Sequence, residues 1–260
     1  MTRLPYRRWF EVGILVSILF TLACFLIPAI QTARTTSRRV QSVSNLRNLV
    51  LSTHQFAVAR QGGLPRGGVV TPDGQANCGW YFNLIPFIEA GSLYEKVLQH
   101  GGAWDNPAAS PLLKSSMSIT QTPLVGEVTT TDGWSLMHYS ANPDLFYQNS
   151  AARMEDIDTH SNCWFFGEVS DHLVPWAYPY NWREAGETAG PPGTSIRKPT
   201  GTCQFAMADG RVVLVSAAAS GALLRSSGQA TASYRKKSEQ ENPFVRFVPP
   251  RSFTALRSWP

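Results

Sequence analysis

Patterns that carry chemistry are what this chain has least of. Its five histidines, His54, His100, His138, His160 and His172, fall without metal-ligand spacing among 260 residues. There is no CxxC pair, no nucleophile elbow and no phosphate-cradling glycine loop. The expectation is a protein that is not an enzyme, with no catalytic residue, no cofactor and no metal. The densest polar stretch, "MEDIDTHSN" at 154–162 with Glu168, Asp171 and His172 beyond it, reads as a solvated acidic turn or, loosely, as a calcium loop.

Acidic residues are scarce at both ends. Residues 1–47 carry seven Arg against one Glu, and residues 225–260 carry seven Lys or Arg against two Glu, whereas the middle is net acidic. A basic excess confined to a tail and to the flanks of an apolar run favours anionic lipid or another polyanion, and argues against nucleic acid. Cysteine is sparse as well: of four, Cys24 falls in the apolar run, leaving Cys78, Cys163 and Cys203. Cys163 and Cys203 both sit in expected strands, so a disulfide between neighbouring strands and free thiols are both open.

What is present is one long apolar run. "WFEVGILVSILFTLACFLIPAI", residues 9–30, contains a single charge, Glu11. About 22 residues at roughly 1.5 Å each cover a hydrocarbon core of about 30 Å, so the run reads as a transmembrane helix. A cleaved secretory signal is the rival, because Arg3, Arg7 and Arg8 make a basic leader, but its apolar core would be shorter, at roughly 7–15 residues. Acylation at Cys24 fits less well, since Thr21 stands where an aliphatic residue is usual. Arginines flank both ends, so charge does not set orientation. The cysteine and tryptophan content of the remainder, and the N-terminal position of the run, place residues 31–260 outside the cytoplasm and the N-terminus inside.

Past the run, "SRRVQSVSNLRNLVLSTHQFAVARQGG" puts Val40, Val43, Leu46 and Val50 on one helical stripe, with Gly62 and Gly63 as the stop. The membrane helix therefore continues outward through Pro28, which removes one backbone bond and bends it. The body that follows reads as short strands and loops, with a short helix from about Pro86 to Leu98 and mostly loop up to Gly133. Strands are expected in "SLMHYSANPD", "NCWFFGEVS" and "CQFAMADGRVVLVSAA". The last predicts a hairpin, Gln204 to Ala208 against Arg211 to Val215, joined by Asp209-Gly210 in a two-residue type I′ turn. "SGALLRSSG" predicts a short terminal helix. The resulting segments are a cytoplasmic 1–8, a membrane helix 9–30, its extension 31–61, a β-rich body 62–225 and a basic, disordered tail 226–260. The fold class is α+β: a long N-terminal helix packed on a small antiparallel β-sheet.

The order of these features resembles the prepilin-like proteins of planctomycete bacteria catalogued as domain of unknown function 1559. The pieces that carry the resemblance are the helix closing in "PAIQTAR", then "SNLRNLVLSTHQF", "GWYFNLIPFIEAGSLYEKV", "HYSANPD", "MEDIDTHSNCWFFGE" and "GTSIRKPTGTCQFAMADGRVVLVS". Together they cover roughly residues 9 to 225. The resemblance implies a pilin-type helix on a β-rich body, and a glutamate in the apolar segment that pairs with a neighbouring subunit's new N-terminal amine. Glu11 and Pro28 have the spacing of that glutamate and its proline. By the same register, however, the cleavage glycine is replaced by Tyr6 and the new N-terminal phenylalanine by Arg7, so an uncleaved anchor is expected. Glu11 is then an assembly residue or a snorkelling interfacial charge near Arg7 and Arg8. The family's histidine nine residues before Asp-Gly is also missing, with Pro199 at that position and Lys198 beside it.

Two groups of residues are candidates for binding. Asn162 and Glu168 fall on the "SN" and "GE" pieces of the resemblance. Trp176, Tyr178, Tyr180 and Trp182, in "WAYPYNWREAG", would form a stacking platform for a glycan or peptide, or else are loop packing. Asp209 and Gly210 are expected to be a structural turn. The function this supports is a membrane-anchored, extracytoplasmic pseudopilin-like structural or interaction protein of the inner membrane, linked to a secretion or pilus-like system. Its partners would be membrane lipid, other pseudopilin-like subunits or a cell-envelope polymer. The alternative is a surface-anchored glycan- or peptide-binding module.

Overall fold

The computed structural model describes residues 6–88, 91–170, 172–183 and 202–216. The terminal helix expected in "SGALLRSSG", the tail from 226, and Lys198 and Pro199 lie outside the described residues.

Membrane run and extension form one helix, α1 (Tyr6–Ala59), which continues through Pro28. From residues 9 to 41 every side chain is exposed, and burial begins at Ser42. From there the buried positions are Ser42, Asn45, Leu46, Leu49, Val50, Ser52, Thr53 and Ala57, the three- and four-residue spacing of one helix face. The sequence stripe is thus corrected at its start. Val40 is 62 % exposed, and the first residue of α1 to enter the body is a serine.

The helix stop also differs in its residue. Gln61 takes the left-handed backbone at φ 53°, and Gly62 donates to the Ala57 carbonyl at 2.7 Å, six residues closing on one as in a Schellman cap. Gln61 and the following Gly62, at φ 93°, both take positive φ, and the Arg153 guanidinium holds the Gln61 carbonyl at 2.7 Å.

In the body, β1 (Gly68–Val70) and β2 (Ala76–Gly79) pair, followed by α2 (Trp80–Leu84) and α3 (Gly91–Gln99). The short helix expected from Pro86 is therefore a 3₁₀ turn, Ile85–Phe87, and then α3. The stretch up to Gly133 holds one helical turn, α4 (Ser110–Leu113), and a 3₁₀ turn, Ser118–Thr120, among loops. The strands β3 (Leu136–Met137), β4 (Tyr139–Ala141), β5 (Trp164–Glu168), β6 (Val174–Pro175), β7 (Thr202–Met207) and β8 (Val212–Ser216) complete it. The principal sheet is antiparallel in the order β4-β5-β7-β8, with β3 and β6 paired beside it.

A β-bulge gives this sheet two apolar faces. Trp164 is opposite Met207 and Phe166 opposite Ala206, so Phe165 is the extra residue. Trp164 therefore faces Phe205, Met207, Leu136 and Leu173 on one side. Phe165 and Phe166 join the larger core with Leu46, Leu49, Val50, Trp80 and Phe146 on the α1 side. Trp80 stacks on Phe166 with centroids 4.6 Å apart, and α2 is thereby fixed beside α1. At Gly68 and Gly79 the packing admits no side chain, because a Cβ would overlap the Pro179 and Tyr178 carbonyls.

The hairpin is where expected but turns differently. Met207 and Arg211 flank a three-residue loop in which Gly210 donates to the Met207 carbonyl at 3.0 Å. Only Gly210 has a positive φ, at 89°, whereas a type I′ turn requires it at both central residues. The turn is therefore type I followed by a left-handed glycine.

Candidate functional site

A polar cluster lies where α1 enters the body. Four elements meet there: α1 brings Ser42 and Asn45, the loop after the 3₁₀ turn Ser118–Thr120 brings Thr122, β4 brings Tyr139 and β5 brings Glu168. All five are buried, and Glu168 has no exposed surface.

Three donors converge on the Glu168 carboxylate. The Ser42 hydroxyl donates to Oε1, the Thr122 hydroxyl donates to the same oxygen at 3.3 Å, and the Gln204 backbone N–H donates to Oε2 at 3.1 Å. Because Ser42 gives its single proton to Glu168, its contact with Tyr139 at 3.0 Å must have the phenol as donor. Asn45 in turn donates to the Tyr139 oxygen at 3.4 Å and to the Gln121 carbonyl at 2.9 Å. The result is a directed chain from Asn45 through Tyr139 and Ser42 to Glu168, in which each bond polarises the next. Burial, the largest influence, pushes the Tyr139 phenol well above its ordinary pKa, so it stays a donor.

His138 extends the cluster. Its Nδ1 accepts from the Thr122 N–H at 3.0 Å, which leaves the proton on Nε2, 2.7 Å from the Glu127 carbonyl. Burial lowers the imidazole pKa and outweighs the neighbouring carbonyls and carboxylates that raise it. This neutral tautomer matches both neighbours.

Of the residues singled out from the sequence, only Glu168 belongs to this cluster. Asn162 is exposed in the 3₁₀ turn before β5, while Glu168 ends that strand, roughly 20 Å away at about 3.3 Å per residue. They do not form a pair. Trp176, Tyr178 and Trp182 are 1, 2 and 4 % exposed, so they offer no open ring face for a ligand. Trp176 donates from its indole to the Ser115 carbonyl at 3.0 Å, and Tyr178 packs edge-on against Trp104, which is core packing. Tyr180 is half-buried between Tyr178 and Trp182. Glu11 and Pro28 lie on the exposed part of α1.

Asp209 folds back on its own turn, accepting from the Arg211 amide at 3.0 Å and the guanidinium at 2.7 Å, while Arg211 also reaches the Ser161 carbonyl. Burial raises its carboxyl, but these Arg211 contacts outweigh it and hold the pKa below the usual range.

Cys163 directly precedes β5, and Cys203 lies on the adjacent β7 beside the other end of β5. Ala208 pairs with Cys163, whereas the Cys203 thiol lies 3.2 Å from the Glu168 carbonyl, so no disulfide joins them. Burial pushes the Cys78 and Cys163 thiols up to about 12, leaving them inert. Among the described residues no group of three His, Cys, Asp or Glu is placed to hold a metal ion, and the acidic "MEDIDTHSN" forms two 3₁₀ turns.

The partners of Glu168 had a faint signal in the sequence. Ser42 and Asn45 are polar residues three apart on the apolar stripe of α1, where a polar side chain requires a partner. Nothing local to Thr122 or Tyr139 marks them.

The architecture is α+β, with a helix long and apolar enough near its start to cross a membrane. Residues 31–123 match the family described as Protein of unknown function (DUF1559), the domain family to which the sequence pieces pointed. The matched segment supplies Ser42, Asn45 and Thr122; Tyr139, Glu168 and Gln204 lie beyond it. No curated protein and no solved structure matches the chain.

Proposed function

We propose that this protein is a non-enzymatic structural or interaction component of the cell envelope, anchored in the inner membrane by residues 9–30 and carrying its body outside the cytoplasm. The observation that supports this reading is the division of α1. Its first part is apolar and fully exposed, and its second part is fastened to the sheet by the Ser42–Glu168–Tyr139 chain. One rigid element then links lipid to body, an arrangement suited to presenting or assembling the body rather than to turnover.

The pseudopilin-like role belongs to this proposal. In it the lipid-facing segment around Glu11 is also where a neighbouring subunit of the same type makes contact. Membrane lipid contacts the remainder of the segment.

The test combines extraction and topology. The full chain should resist alkaline carbonate, and a chain starting at residue 31 should be released. Gln75 is exposed in the body, so Gln75→Cys should react with an impermeant maleimide in cells whose cytoplasmic membrane is intact. Carbonate release of the full chain, or labelling only after that membrane is permeabilised, would overturn the proposal.

A further inference from the structure

Between the apolar run and the body, α1 has no buried residue: positions 31–41 are exposed, and the first buried side chain is Ser42. At about 1.5 Å per residue Ser42 stands roughly 18 Å beyond Ile30. The headgroup layer on each side of a bilayer is about 5–8 Å deep. In the anchored reading, on which this inference rests, Ser42 therefore lies roughly 10 Å above the headgroups.

Three arginines, Arg34, Arg38 and Arg39, occupy this stretch, about 6, 12 and 14 Å past Ile30. No acidic residue accompanies them. After Glu11 the helix carries no Asp or Glu, and the next carboxylate along the chain is Asp73. The threonines between them are committed elsewhere: Thr32, Thr35 and Thr36 donate their hydroxyl protons to the carbonyls of Pro28, Gln31 and Thr32, each at 3.0 Å. The guanidinium groups are thus the principal donors of the stretch.

Their direction follows from the helix. In an α-helix the Cα–Cβ bonds tilt toward the N-terminus, and long side chains follow that lean. The N-terminal end of α1 is its membrane end, so Arg38 and Arg39 reach back toward the depth at which Arg34 already stands, that of the lipid phosphates. Rotation is set as well. Arg34 and Arg38 precede Asn45 by eleven and seven residues, and at about 100° per residue both fall within about 20° of it. They lie on the side of α1 from which the body projects, and Arg39 is turned away from them. Each guanidinium presents a planar fork that pairs bidentately with a phosphodiester. A headgroup that lacks an ammonium leaves its phosphate charge free for that pairing.

We propose that Arg34, Arg38 and Arg39 form a collar that binds the phosphodiester headgroups of anionic phospholipids in the leaflet beside the body. The apolar run requires only hydrocarbon, whereas the collar selects lipid by headgroup charge.

Spin-labelled lipids test this on the full chain reconstituted in phosphatidylcholine bilayers. A label near the end of the acyl chain registers only lipid that touches the membrane helix. Arg3, Arg7 and Arg8 are changed to Gln to silence the opposite end. In that background the immobilised fraction should favour phosphatidylglycerol over phosphatidylcholine by at least about threefold, and the preference should fall as salt rises. Adding Arg34→Gln, Arg38→Gln and Arg39→Gln together should bring the ratio to about one. Arg47→Gln, exposed but roughly 26 Å past Ile30, should leave it unchanged. Glutamine keeps the helix propensity, so an unchanged melt confirms that each variant is folded. A ratio near one in the background chain would leave the arginines to a polyanion outside the bilayer, and a preference that survives the triple change would place selectivity elsewhere on the chain; either result overturns the proposal. Carbonate extraction of the same samples separates the two readings. A chain that resists carbonate but shows no preference overturns the collar alone, and a chain that carbonate releases overturns the anchor with it.

Discussion

Replacing Glu168 by alanine removes the acceptor of three donors at once, and the three differ in what they can do next. The Ser42 and Thr122 hydroxyls rotate and seek other acceptors, each losing about 1 kcal/mol. The Gln204 N–H cannot turn, since β7 fixes it, and a buried amide without an acceptor costs about 1–3 kcal/mol. The sum for Glu168→Ala is about 3–5 kcal/mol, or roughly 6–20 °C in Tm at about 2–4 °C per kcal/mol for a body of this size. Glu168→Gln is the informative companion. Its carbonyl can face the Gln204 N–H while its amide donates to the two hydroxyls, which turn to accept, so the loss should be only about 1 kcal/mol. Thermal unfolding of the full chain in detergent, followed by the fluorescence of buried Trp80 and Trp176, reports both. A glutamine variant as unstable as the alanine variant would refute the argument that the number of satisfied donors, rather than the charge, sets the cost. An alanine variant within about 0.5 kcal/mol of the parent would refute the clamp itself.

Acidification should loosen the same region through His138. Its folded pKa is lowered from 6.5, so the unfolded chain binds a proton more readily. Its contribution is complete above about 6.5 and is lost as pH falls toward the folded value; Tm measured from pH 7.5 to 5 should decline, and His138→Asn, whose carbonyl can accept from Thr122, should flatten that part of the decline. Gly210→Ala should cost about 1–2 kcal/mol from backbone strain alone, because a Cβ there meets nothing within 4 Å, and a change below about 0.3 kcal/mol in the same melt would contradict the turn geometry. Trp176→Ala should destabilise the body by about 3–5 kcal/mol, as a core deletion does, and a variant with parental Tm would show that the ring does not pack as described.

The sequence disclosed those parts of the fold in which period and composition act over many residues. α1, the strands around residues 136–141 and 164–168, and the hairpin about Asp209-Gly210 all follow from apolar periodicity or a turn dipeptide. It misjudged features decided by single contacts. Asp-Gly suits a type I′ turn, but the Arg211 amide and guanidinium hold Asp209 in a type I conformation. Gly62 does close the helix stop, but the left-handed turn already begins at Gln61. The aromatic segment 176–182 was open to either a stacking platform or loop packing, and tertiary contacts, which no local pattern shows, turn Trp176, Tyr178 and Trp182 inward. The cluster at Glu168 was legible only in part, since residues 42, 122, 139 and 168 are far apart in the chain and no local rule links them.

Why a polar clamp should occupy the point where α1 enters the body follows from what an apolar contact alone would permit. An apolar stripe on a sheet tolerates a slip of one turn, about 5.4 Å, because similar side chains replace one another along it. Ser42 and Asn45 cannot slip without leaving the Glu168 carboxylate and the Tyr139 hydroxyl buried away from their donors on α1. A buried polar contact is best attested as a device for fixing register, and here it sets both the height and the rotation of the helix. The exposed segment from Trp9 onward leaves the body from that fixed point, about 100° turned per residue, so the direction in which Glu11 faces is decided at Ser42. Glu11 in the apolar run and Ser42, which holds the carboxylate fully buried on β5, thus belong to one continuous helix.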